Sequence, residues 1–121
     1  MPYNEFLVDK VHQALKMKNV AFEEKNMMGG IVFMVDQKMC LGISRDDLMV
    51  RIDPTLYETV VGTRGSREMD FTGRAMKGFV FVGPEGTDID ETLEYWINLA
   101  LEFNPRAMSS KKKTQIIPPL Q

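Results

Sequence analysis

Between residues 26 and 52 the chain carries three short apolar runs separated by polar triplets. Ile31 to Val35, Met39 to Ile43 and Leu48 to Ile52 form the runs, with Asp36-Gln37-Lys38 and Arg45-Asp46-Asp47 between them. Runs of this length bounded by turn residues read as strands, and such short links join antiparallel neighbours, because a parallel crossover needs a dozen residues or more. The pattern predicts a three-stranded meander at the centre of the fold. In the third strand, alternation places Leu48, Val50 and Ile52 on one face and Met49 with Arg51 on the other.

The flanking pattern is mostly helical. Residues 3 to 17 place Leu7, Val11, Ala14 and Leu15 on one stripe, with Pro2 where a first-turn proline is tolerated; a short extended piece, Val20 to Lys25, follows. Asp53-Pro54 reads as a cap and a first-turn proline before a short helix with Leu56, Tyr57, Val60 and Val61, ended by Gly62. Thr63 to Glu68 reads as a loop. Strands are expected at Met69 to Thr72 and Lys77 to Val82 around a Gly73-Arg74 turn, and Gly83-Pro84-Glu85-Gly86 reads as a break. The spacing of Asp88 and Glu91 fits a cap and its partner, so the last helix is expected from Asp88 or one residue earlier. On it Ile89, Leu93, Trp96, Ile97, Ala100 and Leu101 share a stripe that Leu99 and Phe103 widen, Trp96 faces the core, and Asn104-Pro105 stops the helix. The order α-β-β-β-α-β-β-α defines an α+β fold of two layers, with helices on an antiparallel sheet of about five strands.

Composition adds limits. The 121 residues suit one domain, placed at 1–105, and residues 106–121 change to Ser, Lys, Gln and Pro, which predicts a flexible basic tail. All seventeen acidic residues lie before Pro105, against eleven basic ones, so residues 1–104 carry a net charge of −6. An acidic body is poorly suited to hold a phosphate backbone, whose affinity comes from Lys and Arg. No apolar stretch approaches a membrane span, and MPYNEF lacks the pattern of a signal peptide, so a cytoplasmic protein without membrane contact is expected. The single Cys40 lies within an apolar run with no basic neighbour in sequence, which predicts a buried, inert thiol.

No catalytic constellation emerges. His12, the only histidine, lies beside the stripe of the first helix, and there is no CxxC, HExxH or EF-hand pattern, so neither an enzyme, a cofactor nor a metal is expected. Gly29-Gly30 precedes a strand without any phosphate-binding motif, and a bulge or a positive φ explains it better than ligand approach. Arg64, Arg67, Arg74 and Lys77, interleaved with glycines, form the local basic cluster of the body and offer a contact for an anion or an acidic partner. Arg51 reads as a face-centred anchor for a partner or as the polar side of a strand. Ten methionines, mostly in or beside the strands, suit core gaps and adaptable contacts alike.

The run Met27-Met28-Gly29-Gly30-Ile31-Val32-Phe33-Met34, then Gly42 and Asp47-Leu48-Met49-Val50-Arg51, is similar to the N-terminal domain of TfoX/Sxy-type proteins. Met69-Asp70-Phe71-Thr72-Gly73-Arg74-Ala75-Met76-Lys77-Gly78 looks like a second block of that family, and Trp96 sits where its last helix has a Trp. The family usually has Phe at the place of Met28 and often Pro at that of Ala75; both replacements are apolar. The resemblance covers roughly residues 20 to 104, without the C-terminal domain of full-length competence regulators, and implies the same α+β fold. It also implies a non-catalytic interaction or regulatory module, whose partner is another regulatory protein. The alternative is a domain for nucleic acid or a small anion, using the Arg64, Arg67, Arg74 and Lys77 cluster with Lys111, Lys112 and Lys113. Because Ile31 to Val35 and Phe79 to Val82 are apolar at successive positions, both sheet faces carry hydrophobic side chains, and a homodimer covering the second face is expected.

Overall fold

The computed structural model describes residues 3–27, 29–68 and 78–107. The first helix, α1, spans Glu5–Met17 and not residues 3 to 17, because the Asn4 side chain caps it, accepting from the amides of Phe6 and Leu7 at 3.0 and 3.1 Å. Tyr3 instead makes an isolated bridge to Arg45. Leu7, Val11 and Leu15 are buried, as their spacing predicts.

Six strands form one antiparallel sheet: β1 Glu23–Met27, β2 Gly30–Val35, β3 Lys38–Ser44, β4 Asp47–Arg51, β5 Ser66–Glu68 and β6 Phe79–Val82, in the order β1-β2-β3-β4-β6-β5. The expected meander is present, with one more strand before it. The extended piece expected over Val20 to Lys25 becomes a strand that starts at Glu23, runs on to Met27 and pairs along β2. β1 reads Glu-Glu-Lys-Asn-Met, a polar edge strand without apolar alternation. The β2–β3 hairpin turns on Asp36 and Gln37, both at positive φ, which matches the twist of two-residue hairpins. Gly29 also has positive φ (+75°), and a Cβ on Gly30 would lie 1.9 Å from the Ile43 carbonyl oxygen, so close backbone approach explains the glycine pair.

Three local readings are corrected. The expected loop Thr63 to Glu68 ends in β5, which pairs with β6 in register Ser66 to Val82. Gly83 to Gly86 is no break, since Pro84–Thr87 is a short helix, α3, with proline in its first turn. The main helix, α4, runs Asp90–Phe103 with Ile89 as an N-cap that makes no side-chain bond; Asp88 closes α3 instead, so the capping pair with Glu91 does not form. Ile89, expected on the buried stripe, is 53% exposed. The expected strand Met69 to Thr72 and the Gly73-Arg74 turn lie outside the described residues.

Asp53 caps a 3-10 turn at Pro54–Leu56, which leads into α2, Tyr57–Val60. The core lies between the helices and one face of the sheet. Leu7, Val11 and Leu15 of α1, Tyr57 and Val60 of α2, and Leu93, Trp96, Ile97 and Ala100 of α4 pack on Ile31, Phe33, Leu41, Ile43, Leu48, Val50, Val80 and Val82. Trp96 is fully buried, and its Nε1–H donates to the Arg64 carbonyl at 3.4 Å. Beyond α4 the chain stays attached: Asn104 Nδ2 donates to Val35 O at 3.1 Å, Lys38 Nζ to Asn104 O at 2.9 Å, and Arg106 Nη1 to Asp53 Oδ2 at 2.7 Å. Arg106 and buried Ala107, which composition assigns to the tail, therefore touch the body. Residues 108–121 lie outside the described residues.

Candidate functional site on the second sheet face

Strand alternation sends the even positions of β2 and the odd positions of β4 and β6 away from the helices. There Val32 and Met49 are fully buried, and Met34, Met39, Phe79 and Phe81 are partly buried around them. No described helix contributes to this cluster. The β2–β3 register shifts between Phe33 and Met34, so Phe33 faces Leu41 and Met34 faces Met39. Cys40 is the extra residue, and this bulge brings Met39 onto the second face. Gly42 belongs to the same patch: a Cβ there would meet Met49 Cε at 2.5 Å, so the missing side chain leaves room for Met49 to lie flat across the sheet.

Two arginines cover the aromatic rings. Arg51, half-buried, places its guanidinium 5.7 Å from the Phe79 ring centre and donates from Nη1 to the Met39 carbonyl at 3.4 Å. Burial works against its charge and lowers its pKa, with Cys40 acting in the opposite sense. Arg67 lies 5.1 Å from the Phe81 ring centre and grips Asp47 with two nitrogens, at 2.8 and 3.3 Å. That hydrogen bonding raises the Arg67 pKa. Arginine over a ring adds an electrostatic attraction to its apolar contact, and a carboxylate fork fixes its orientation.

The sequence-predicted basic cluster does not assemble as one patch among the described residues. Arg64, at positive φ, stacks 4.1 Å over Tyr95 of α4, whereas Arg67 points to the second face, already neutralised by Asp47. Arg74 and Lys77 lie outside the described residues, as do Met28, Asp70, Gly73, Lys111, Lys112 and Lys113. Gly78 accepts through its carbonyl from the Ile52 amide at 2.9 Å, where β4 leaves the sheet.

Cys40 is buried and its thiol is pushed up to about 12 by that burial, although nearby Arg51 pulls the other way. It stays a protonated, unreactive thiol at neutral pH. His12 Nδ1 sits 2.6 Å from Glu24 Oε2 and packs edge-on against Phe22. The described residues hold no group of three His, Cys, Asp or Glu side chains spaced for a metal, and no helix long and apolar enough to cross a membrane.

A second concavity escaped the sequence reading. Between α1 and α4 lies an open groove of about 500 Å³ floored by Ala14, Leu93 and Ile97, with ion pairs Lys10–Asp90 and Lys18–Glu94 bridging it. Only the mutual placement of two distant helices creates it, so no local signal predicts it.

These features define a class: a two-layer α+β module with its described helices on one sheet face and a methionine, phenylalanine and arginine patch on the other. The model of the TfoX N-terminal domain matches residues 17–104, and the chain belongs to that family. The matched segment takes in the whole six-stranded sheet and α4, and leaves out nearly all of α1. Comparison with curated proteins and with solved structures gives no match.

Proposed function

We propose that the chain is a non-catalytic, cytoplasmic protein-interaction module of a regulatory kind, and that the second sheet face is its contact surface. The observation that carries this reading is the composition of that face. Protein contact surfaces are enriched at their centres in aromatic residues, Met and Arg and depleted of other charged residues. Met34, Met39, Phe79, Phe81 and Arg51, packed around the buried Met49, meet this description on a sheet side that no described helix occupies. Family membership supports the regulatory part of the proposal, as competence and transcription co-regulators contain the domain.

The alternative, a nucleic-acid or anion site, has aromatic rings two residues apart on which bases could stack, but Arg67 is spent on Asp47 and Arg64 faces the helix layer. Replacing Phe79 and Phe81 together by Ser tests the choice. The variant should keep its circular dichroism, because both rings are partly exposed, and should lose the proteins that the wild type co-purifies with from its own cell. Unchanged capture, or steeply salt-dependent binding of a single-stranded oligonucleotide, would overturn the protein-contact reading.

A further inference from the structure

The two most exposed large apolar side chains among the described residues both lie on α1. Phe6 is 74% exposed and Met17 83%, although Leu7, Val11 and Leu15 of the same helix are buried. Phe6, Lys10, Gln13 and Met17 follow the spacing i, i+4, i+7, i+11, so they form a second stripe beside the core stripe, about 16 Å long. Lys10, Gln13 and Met17 of that stripe line the groove between α1 and α4. The two walls differ in charge: Lys10 and Lys18 stand on the α1 side, Asp90 and Glu94 on the α4 side. Leu93 and Ile97 are already buried and serve as a floor, so the surface left for a partner is Met17, Phe6, the partly buried Ala14 and the stems of the two lysines.

We propose that this groove is a second contact surface, separate from the sheet face, and that it receives an amphipathic α-helix of a partner protein whose two flanks carry opposite charge. The walls are themselves helices, with their backbone N–H and C=O groups bonded internally. An extended peptide would find no backbone partners there, whereas a helix satisfies its own. A helix lying along the groove turns one flank to Lys10 and Lys18 and the other to Asp90 and Glu94. Carboxylates on the first flank and ammonium or guanidinium groups on the second then meet opposite charge on both sides. The pairs Lys10–Asp90 and Lys18–Glu94 that now cross the groove are partly exposed, and such pairs contribute little, so they part at small cost. A second copy fits less well, because laying one groove on another sets two hollows face to face and leaves a void.

The exposed apolar surface is small, which places the dissociation constant at about 100 μM. Fluorescence anisotropy of the full chain with labelled, designed helical peptides about fourteen residues long tests this. Three peptides share one leucine stripe and differ in their flanks: glutamate on one and lysine on the other, glutamate on both, or lysine on both. The mixed peptide should bind the wild type most tightly, and each of the others about tenfold more weakly. Met17→Ser, at an exposed position, should keep the fold and weaken the mixed peptide about tenfold. The double variant Lys10→Glu with Lys18→Glu makes both walls acidic, so the lysine-flanked peptide should become its tightest ligand while circular dichroism stays unchanged. The converse pair, Asp90→Lys with Glu94→Lys at exposed positions, should favour the glutamate-flanked peptide. A mixed peptide that does not bind, equal binding of all three, or a preference unmoved by either double variant would overturn the proposal. A peptide that binds only as a dimer comes apart in sedimentation would overturn it too, by giving the groove to a second copy. The Phe79 and Phe81 variant should bind the mixed peptide as the wild type does, which keeps this result distinct from that of the sheet face; a loss there would move the peptide to the sheet and overturn the groove assignment.

Discussion

At the scale of single residues, chemistry readable from the sequence and chemistry created by the fold separate clearly at Cys40 and Asp53. That Cys40 is inert follows from its apolar run, and burial supplies the reason, even though Arg51, eleven positions away, approaches it. Asp53 was readable as a cap: its carboxylate accepts from the Thr55 amide at 2.9 Å. Its second partner, Arg106, was not, because the two are brought together only when α4 has docked. The Thr55 amide first, then Arg106 and the Thr55 hydroxyl, hold the Asp53 carboxyl down to about 2. A carboxyl lowered by folding stabilises the native state above its unfolded value, near 3.9, and that contribution fades as pH falls through about 2. Asp53→Asn should therefore be less stable than wild type at pH 6, and the difference should close between about pH 4 and 2. Urea unfolding followed through Trp96 fluorescence at several pH values measures this, and a gap that persists at pH 2 would refute the carboxylate's role.

At the scale of elements, what the sequence made legible was whatever has a local pattern. The central meander, α1, the short helix after Asp53 and the body of α4 all follow from periodicity and caps, because their apolar residues repeat along a single segment. β1 and β5 have no such pattern. Glu23–Met27 is polar up to its last residue, and Ser66–Glu68 has only one buried side chain, so each becomes a strand by pairing with a neighbour rather than by propensity. Ser66 is what fixes β5. Its hydroxyl lies 2.9 Å from Val60 O and 2.7 Å from Thr63 O and accepts from the Gly62 amide at 3.1 Å, tying the strand to the end of α2. Ser66→Ala would take the acceptor from the Gly62 amide, while Val60 O and Thr63 O keep the Thr63 and Ser66 amides, at a cost of about 1–3 kcal/mol. The expected result is a lower urea midpoint, with faster amide exchange along β5 and β6. Exchange unchanged in β6 would mean that β5 holds its place without Ser66.

At the scale of the whole molecule, the second face could be anticipated only in part. Successive apolar residues in β2 and β6 signal that both sides of the sheet carry hydrophobic side chains, and alternation sets Met49 and Arg51 on the face opposite Leu48, Val50 and Ile52. Which arginine covers which ring, and that Arg64 and Arg67 part company across the sheet, depend on register between strands distant in sequence. That arrangement has a consequence for solubility. A sheet face with partly exposed Met and Phe invites association of any geometry, and cationic side chains spread over the rings restrict it. Arg51 is central to this, and its burial carries a desolvation cost, so an apolar replacement of similar length should relieve that cost while exposing the Phe79 ring. Arg51→Met is therefore expected to keep its melting temperature or gain slightly, and at the same time to form larger assemblies than the wild type does. Light scattering as a function of concentration, beside a thermal melt, reads both effects. A variant that remains as discretely sized as the wild type would show that Arg51 does not guard this face, and a large loss of stability would assign Arg51 to the fold instead of the contact surface.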